Sequence, residues 1–153
     1  MARKVAKRRD PLMFRIAESF DDIVRASVVR GIVFVGEQHT NYAIEKDEHE
    51  DSAIHILGEI AGEPIAAGRI RFLGEFAKLE RLAVRKEWRG WGYGGRLIEF
   101  MMQVARDRGF SKFKLHAQVV SKGFYARYGF RAEGKTFIEA DIEHCLMLKE
   151  EQA

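Results

Sequence analysis

Four glycines fall within the six residues Gly90-Trp91-Gly92-Tyr93-Gly94-Gly95, directly ahead of a run in which Leu97, Ile98, Met101, Met102 and Ala105 share one helical face. A surface turn needs one or two glycines. Four before a helix start let the backbone approach a ligand closely and leave the free N–H groups of the first helical turn facing an anion. Arg89 and Arg96 flank the segment with positive charge. Two other phosphate loops are excluded by context. The string satisfies a bare G-x-G-x-x-G, but in dinucleotide-binding folds the first glycine follows its strand directly and an acid stands about 20 residues later. Here the polar stretch Arg85 to Arg89 intervenes, and Leu115-His116 occupies the acid's place. No Gly-Lys-Ser/Thr follows, which removes the nucleoside triphosphate P-loop.

Around this segment the chain alternates strand and helix patterns. Leu12 to Ala17 predicts a strand, and Ser19 a helix N-cap with Asp21 and Asp22 in the first turn, where carboxylates suit the helix dipole. Ile23, Ala26, Val29 and Val33 follow at helical spacing, with Gly31 and Gly36 predicting a break into two pieces before Gln38. Glu45 to Asp51, rich in acids, reads as a loop. Ser52 to Ala61 and Ile65 to Phe72 form an expected hairpin across Gly62-Glu63-Pro64, and Phe76 to Val84 is a further strand. After the glycine segment and its helix, Gly109 is a stop, Phe113 to Ala117 a strand, and Ser121 to Tyr128 a short helix ended by Gly129. Strands from Phe130 and over Asp141 to Lys149 close the chain. The expectation is one α/β domain over residues 12–153, preceded by a basic arm, 1–11, that is expected to be disordered.

Charge narrows the partners. The net charge is +3, yet Arg3, Lys4, Lys7, Arg8 and Arg9 lie in the first nine residues, so the rest of the chain carries 21 bases against 23 acids. A mildly acidic body and an arm without aromatics argue against nucleic acid as the partner. No apolar run approaches the length of a membrane span, and no apolar segment follows the basic start as in a secretory signal, so the expected location is cytoplasmic and no membrane partner is expected. The single cysteine, Cys145, permits neither an internal disulfide nor a thiolate metal cluster, and no metal is expected.

Read as Arg-x-x-Gly-x-Gly, residues 89 to 94 resemble the pyrophosphate loop of the GNAT superfamily of acetyl-CoA-dependent N-acetyltransferases. Leu82-Ala83-Val84 matches the family's strand end, and Gly123-Phe124-Tyr125-Ala126-Arg127-Tyr128-Gly129-Phe130 its later Phe-Tyr-x-x-x-Gly-Phe element. Arg30 to Gln38, the spaced Tyr42, Asp47, Asp51 and His55, Ala117-Gln118, and Asp141-Ile142 with His144 are similar to the ElaA-like branch. The resemblance spans roughly residues 12 to 149.

That resemblance implies an α/β GNAT fold, a mixed sheet of about seven strands splayed between the fourth and fifth, with about four helices. It implies acetyl-CoA as donor, lying in the splay along Leu82, Ala83 and Val84, with its pyrophosphate on Arg89, Gly90, Trp91, Gly92, Tyr93, Gly94, Gly95 and Arg96. Gln118, Phe124 and Tyr125 are carried over as further cofactor contacts, and Tyr125 as the acid that protonates the departing CoA thiolate. A tyrosine suits that task because its hydroxyl donates and stays protonated at neutral pH. The acceptor implied is a small-molecule or peptide amine. Pairing of edge strands into a homodimer is common in the superfamily, and nothing in this sequence decides it.

An amine of pKa about 10.4 must lose a proton before it attacks, at a cost of about 4 to 5 kcal/mol at pH 7. Some family members carry a glutamate base where this chain has Lys78. Glu80, on the same strand face, and Glu37, His55 and His116 from other segments are the remaining candidates for a base or acceptor contact. The missing glutamate also keeps open a non-catalytic acyl-CoA-binding or regulatory module. The acidic run Glu45, Asp47, Glu48, Glu50 and Asp51 reads as a solvated loop, with attraction of a cationic amine as the other reading.

Overall fold

The computed structural model describes residues 6, 7 and 9–152. Seven strands form one sheet in the order β1-β2-β3-β4-β5-β7-β6: β1 Leu12–Ile16, β2 Ile54–Ile60, β3 Glu63–Leu73, β4 Phe76–Val84, β5 Lys112–Gln118, β6 Arg131–Glu139 and β7 Ile142–Glu150. The helices are α1 Phe20–Arg30, α2 Tyr42–Glu45, α3 Tyr93–Asp107 and α4 Lys122–Ala126. All strand pairs are antiparallel except β4 with β5. Most of the basic arm, Met1 to Val5 and Arg8, lies outside the described residues. At its end Lys7 and Asp10 exchange two hydrogen bonds of 2.9 Å.

β2 and β3 are buried on both faces, which is why they read as near-continuous apolar runs. On one side Ile56, Ile70, Leu79 and Phe113 pack with Leu97, Ile98, Met101 and Met102 of α3, the face its spacing predicts. On the other, Ala26, Val29 and Val33 pack with Leu57, Ala67 and Ala83. Each large apolar side chain so enclosed contributes about 1.5 to 3 kcal/mol of transfer free energy.

Two local expectations are corrected. Gly31 does not break the first helix: it is right-handed helical, at φ −62° and ψ −44°, and Gly31–Glu37 continues the helix in wider π winding. Glycine costs a helix only about 1 kcal/mol against alanine, less than the burial of Val29 and Val33 returns. The hairpin turn is Ala61-Gly62, with φ of +50° and +82°, so Glu63 and Pro64 already belong to β3. Pro64 sits opposite Glu59, where the register shifts.

The consequential irregularity is in β4. Between Arg69↔Glu80 and Ala67↔Ala83, β3 advances two residues while β4 advances three, and Arg81 takes a φ of +53°. A bulge bends the strand that carries it. Accordingly β4 pairs with β5 only from Phe76↔Lys112 to Lys78↔Lys114, and beyond Lys78 the two strands part.

Candidate functional site

Where β4 leaves β5, a cavity of about 400 Å³ opens. Leu82, Glu80 and Lys78 of β4 line one side, and His116 and Gln118 of β5 the other. Tyr125 of α4 closes it, and Glu139 and His144 from the β6–β7 hairpin complete the wall. Leu82, Gln118, Tyr125, Glu80 and His116, separated by up to 45 positions, are thus brought to one space. Ala83 is buried among Leu57 and Ala67. Ala83 and Val84 pair with β3 through Ala67 and Ala66.

The glycine loop adjoins this space through α4. Gly92, left-handed at φ +80°, is the N-cap of α3, and no side chain caps the helix there. Glycine has no side chain, so the first turn of α3 receives no acceptor from its own N-cap residue. Gly90, at φ +85°, turns the loop before it. A Cβ on Gly94 would lie 3.4 Å from the Phe124 ring, and one on Gly95 only 1.7 Å from the Tyr128 hydroxyl, so the absence of a side chain at Gly95 serves close packing of α3 on α4. Phe124 in turn meets Tyr125, with ring centroids 5.0 Å apart. Tyr93 is buried with Leu12, Ile60 and Ile65, and Trp91 is exposed.

The two flanking arginines are already engaged. Arg89 donates to the Val84 carbonyl at 2.8 Å and to both Glu37 carboxylate oxygens at 2.8 and 2.9 Å; Arg96 donates to the Leu12 carbonyl at 3.2 Å. Glu37 thus lies beside the loop, outside the cavity lining. Gln118 donates to Gln38 at 2.9 Å, joining β5 to the end of the first helix.

The acidic run follows neither sequence reading in full. Glu45 and Glu50 chelate the guanidinium of Arg30, Asp47 and Glu50 that of Arg69, and Asp47 and Glu45 that of Arg81. Arg69 is fully buried, and its Nε has no hydrogen-bond partner among the described residues. Glu48 and Asp51 stay exposed. The hydrogen bond from Arg69 is the main reason the Asp47 carboxyl lies far below its usual range. Burial opposes it, while the His49 N–H and the charges of Arg69 and Arg81 assist.

The candidate bases differ sharply. Burial alone would raise the Glu80 carboxyl, but the hydrogen bond from Arg71 and the charges of Lys78, Arg69 and Arg71 prevail and hold it at about 2. A carboxylate so stabilised is a weak proton acceptor. His55 is buried away from the cavity lining. Its Nε2 lies 2.8 Å from the Glu50 carbonyl and its Nδ1 3.4 Å from Arg30, which occupies both ring nitrogens structurally. His116 lines the cavity with its Nδ1 3.1 Å from Glu139. Glu139 escaped sequence reasoning: it stands at a hairpin end 23 positions from His116, and no local pattern marks that pairing. Tyr125 is pushed up to about 12 by burial, and among the described residues no hydrogen bond reaches its hydroxyl. Cys145 is buried in the core, and no group of three or more His, Cys, Asp or Glu is placed to share a metal ion among the described residues.

The model of a family described as an acetyltransferase (GNAT) domain matches residues 22–151. An uncharacterised N-acetyltransferase of Bacillus subtilis, YjcF, is 37% identical over 136 residues, covering 88% of this chain and 97% of that protein. Among solved structures, Escherichia coli ElaA superposes with a TM-score of 0.82 at 22% identity, over 92% of this chain and all of that one (100%). A GNAT family acetyltransferase of Elizabethkingia anophelis, with acetyl-CoA bound, superposes with a TM-score of 0.71 at 16% identity, over 93% and 99%. At these identities the two structures speak for a shared fold.

Proposed function

This chain belongs to the GNAT family of acetyltransferases, enzymes that use acetyl-CoA, and from that premise we propose that it transfers the acetyl group to a primary amine by direct attack, with Tyr125 as the acid. The observation that carries this reading is the parting of β4 from β5 beside a helix start whose N-cap is a glycine, with Tyr125 on the wall of the resulting cavity.

Acetyl-CoA is a substrate here, and the residues present fit it. The first turn of α3 offers main-chain donors for a pyrophosphate. Past Lys78 the edge of β4 lacks a strand partner on the β5 side, which leaves peptide groups near Leu82 for the amides of a pantetheine arm. Arg89 stands at the loop, with Glu37 sharing its charge. The chemistry supplied is a thioester carbonyl, activated toward amines.

Tyr125 suits the departing thiolate. Burial keeps its phenol protonated well above neutral pH, and among the described residues the hydroxyl is not committed to an acceptor. Replacing Tyr125 by Phe removes one O–H and little else. Turnover is expected to fall by roughly ten-fold or more, with the acetyl-CoA Kd, measured by calorimetry, nearly unchanged. An unaltered rate would remove Tyr125 from the mechanism. The competing reading, a non-catalytic acyl-CoA-binding module, predicts acetyl-CoA binding with no thioester consumption by any amine.

A further inference from the structure

Two histidines and one carboxylate from three successive strands meet on the cavity wall. Glu139 Oε1 is 3.1 Å from His116 Nδ1, and Glu139 Oε2 is 3.8 Å from His144 Nε2. Phe137 packs against both imidazoles, edge-on to His116 with centroids 5.0 Å apart and stacked on His144 at 6.1 Å. The cluster is therefore built from both polar and ring contacts.

The two histidines are not equivalent. His144 Nδ1 lies 2.7 Å from the Ile142 carbonyl, which can only accept, so Nδ1 carries a hydrogen there while Nε2 faces the carboxylate. His116 Nδ1 faces Glu139, whose carboxyl is held below its usual range chiefly by the hydrogen bond from His116, against burial. An ionised carboxylate only accepts, so His116 carries its hydrogen on Nδ1. In the neutral ring the lone pair is then on Nε2, which has no hydrogen-bond partner among the described residues. Among the four base candidates this is the one unshared basic nitrogen on the cavity wall: His55 has both nitrogens engaged, Glu80 is locked among cations, and Glu37 is paired with Arg89.

We propose that His116 Nε2 is the proton acceptor for the attacking amine, and that Glu139 is the positioning residue that fixes the tautomer and orientation of His116. This rests on the acetyl-transfer reading of the same cavity. The substrate ammonium carries three N–H bonds and the product amide one, so two protons leave nitrogen. His116 Nε2 takes the first and passes it to solvent; the amine lone pair then forms the C–N bond at the thioester carbon. As the C–S bond breaks, its electron pair goes to sulfur, Tyr125 donates its O–H proton there, and Tyr125 regains the second proton shed by nitrogen. The charge that forms on His116 is met by Glu139, the orienting logic of a carboxylate behind a catalytic imidazole. The charged and titratable groups that line the cavity with His116 are Glu45 of α2, Asp47 and His49 after it, Arg71 of β3, Lys78, Glu80 and Arg81 of β4, Tyr125 of α4, Glu139 of β6 and His144 of β7.

The test uses the full chain with n-butylamine, spermidine, glucosamine and N-α-acetyl-lysine as acceptors. His116→Ala is expected to lower kcat/KM for the best of these by about 100-fold or more, to erase the acid limb of the pH profile, and to regain activity with added imidazole, while the acetyl-CoA Kd holds. Should alanine unfold the protein, His116→Gln serves in its place. Glu139→Gln is expected to give a smaller loss with the acid limb shifted. In the ligand-free protein, ring-nitrogen NMR is expected to show His116 as the Nδ1–H tautomer, and Glu139→Ala to abolish that preference. An Nε2–H tautomer in the unaltered protein, or turnover and a pH profile that survive His116→Ala, overturns the assignment alone. No thioester consumption by the unaltered protein with any of the four amines overturns acetyl transfer, and this step with it.

Discussion

The cavity has two walls of opposite character. Toward α1 and α2, the lining residues Arg71, Arg81, Lys78, Glu45, Asp47 and Glu80 interleave with Arg30, Glu50 and the buried Arg69 behind them, and nearly every charged group there meets an opposite charge at hydrogen-bond distance. Toward α4, β5 and the β6–β7 hairpin, the Tyr125 hydroxyl and His116 Nε2 face the space without a hydrogen-bond partner among the described residues. Both walls are rich in ionisable side chains, so residue type alone does not separate them. Charges that satisfy one another hold parts of the fold in register, and polar atoms left open are the ones a substrate can use.

The largest effect should come from breaking the saturated wall. Arg69→Met would leave Asp47, Glu50 and Glu80 without their shared guanidinium, and removal of one partner from a buried ion cluster costs about 3 to 5 kcal/mol. Urea unfolding is the measurement. A loss under 1 kcal/mol would show that this wall is no more structural than the other.

Acid should reach the same wall more gradually. Glu80, at about 2 in the folded protein against an ordinary 4.5, contributes stability that is complete above the ordinary value and lost as pH falls toward the folded one. Asp47 and Glu50, also lowered, act in the same direction. Unfolding free energy is therefore expected to be level from about pH 7 to pH 5 and to decline below that. Constant stability down to about pH 3 would contradict the lowered carboxyls.

The smallest effect belongs to the exposed pair at the glycine loop. Glu37→Gln should change stability by less than about 1 kcal/mol, because both partners are partly solvated. It also releases Arg89, so acetyl-CoA is expected to bind about two- to three-fold more tightly at low salt, with the gain vanishing at high salt. Unchanged affinity at both salt concentrations would mean that Glu37 and the pyrophosphate do not compete for this guanidinium.

Much of the fold was legible because its signals are local. Ser19 accepts from the Asp22 N–H at 3.0 Å, as an N-cap with an acidic first turn predicts. The buried face of α3 follows Leu97, Ile98, Met101 and Met102. What was not legible had no local signature. α2 is a four-residue helix capped by Asn41, too short to show periodicity. The continuation of the first helix through Gly31 depends on a core contributed by β2, β3 and β4. The β4 bulge that opens the cavity appears in the sequence only as Glu80-Arg81-Leu82, with nothing to mark Arg81 as left-handed.

By itself, then, the sequence determined the glycine loop with its helix, the strand order along the chain, and the presence of Tyr125 in a recognisable element, since each rests on residues a few positions apart. The tertiary structure alone decided which ionisable groups remain available. Arg30 finds Glu45 and Glu50 at separations of 15 and 20 residues, Arg89 finds Glu37 at 52, and His116 finds Glu139 at 23. A side chain's basicity and reach depend on what stands within a few ångströms of it, and only the folded chain assigns those neighbours.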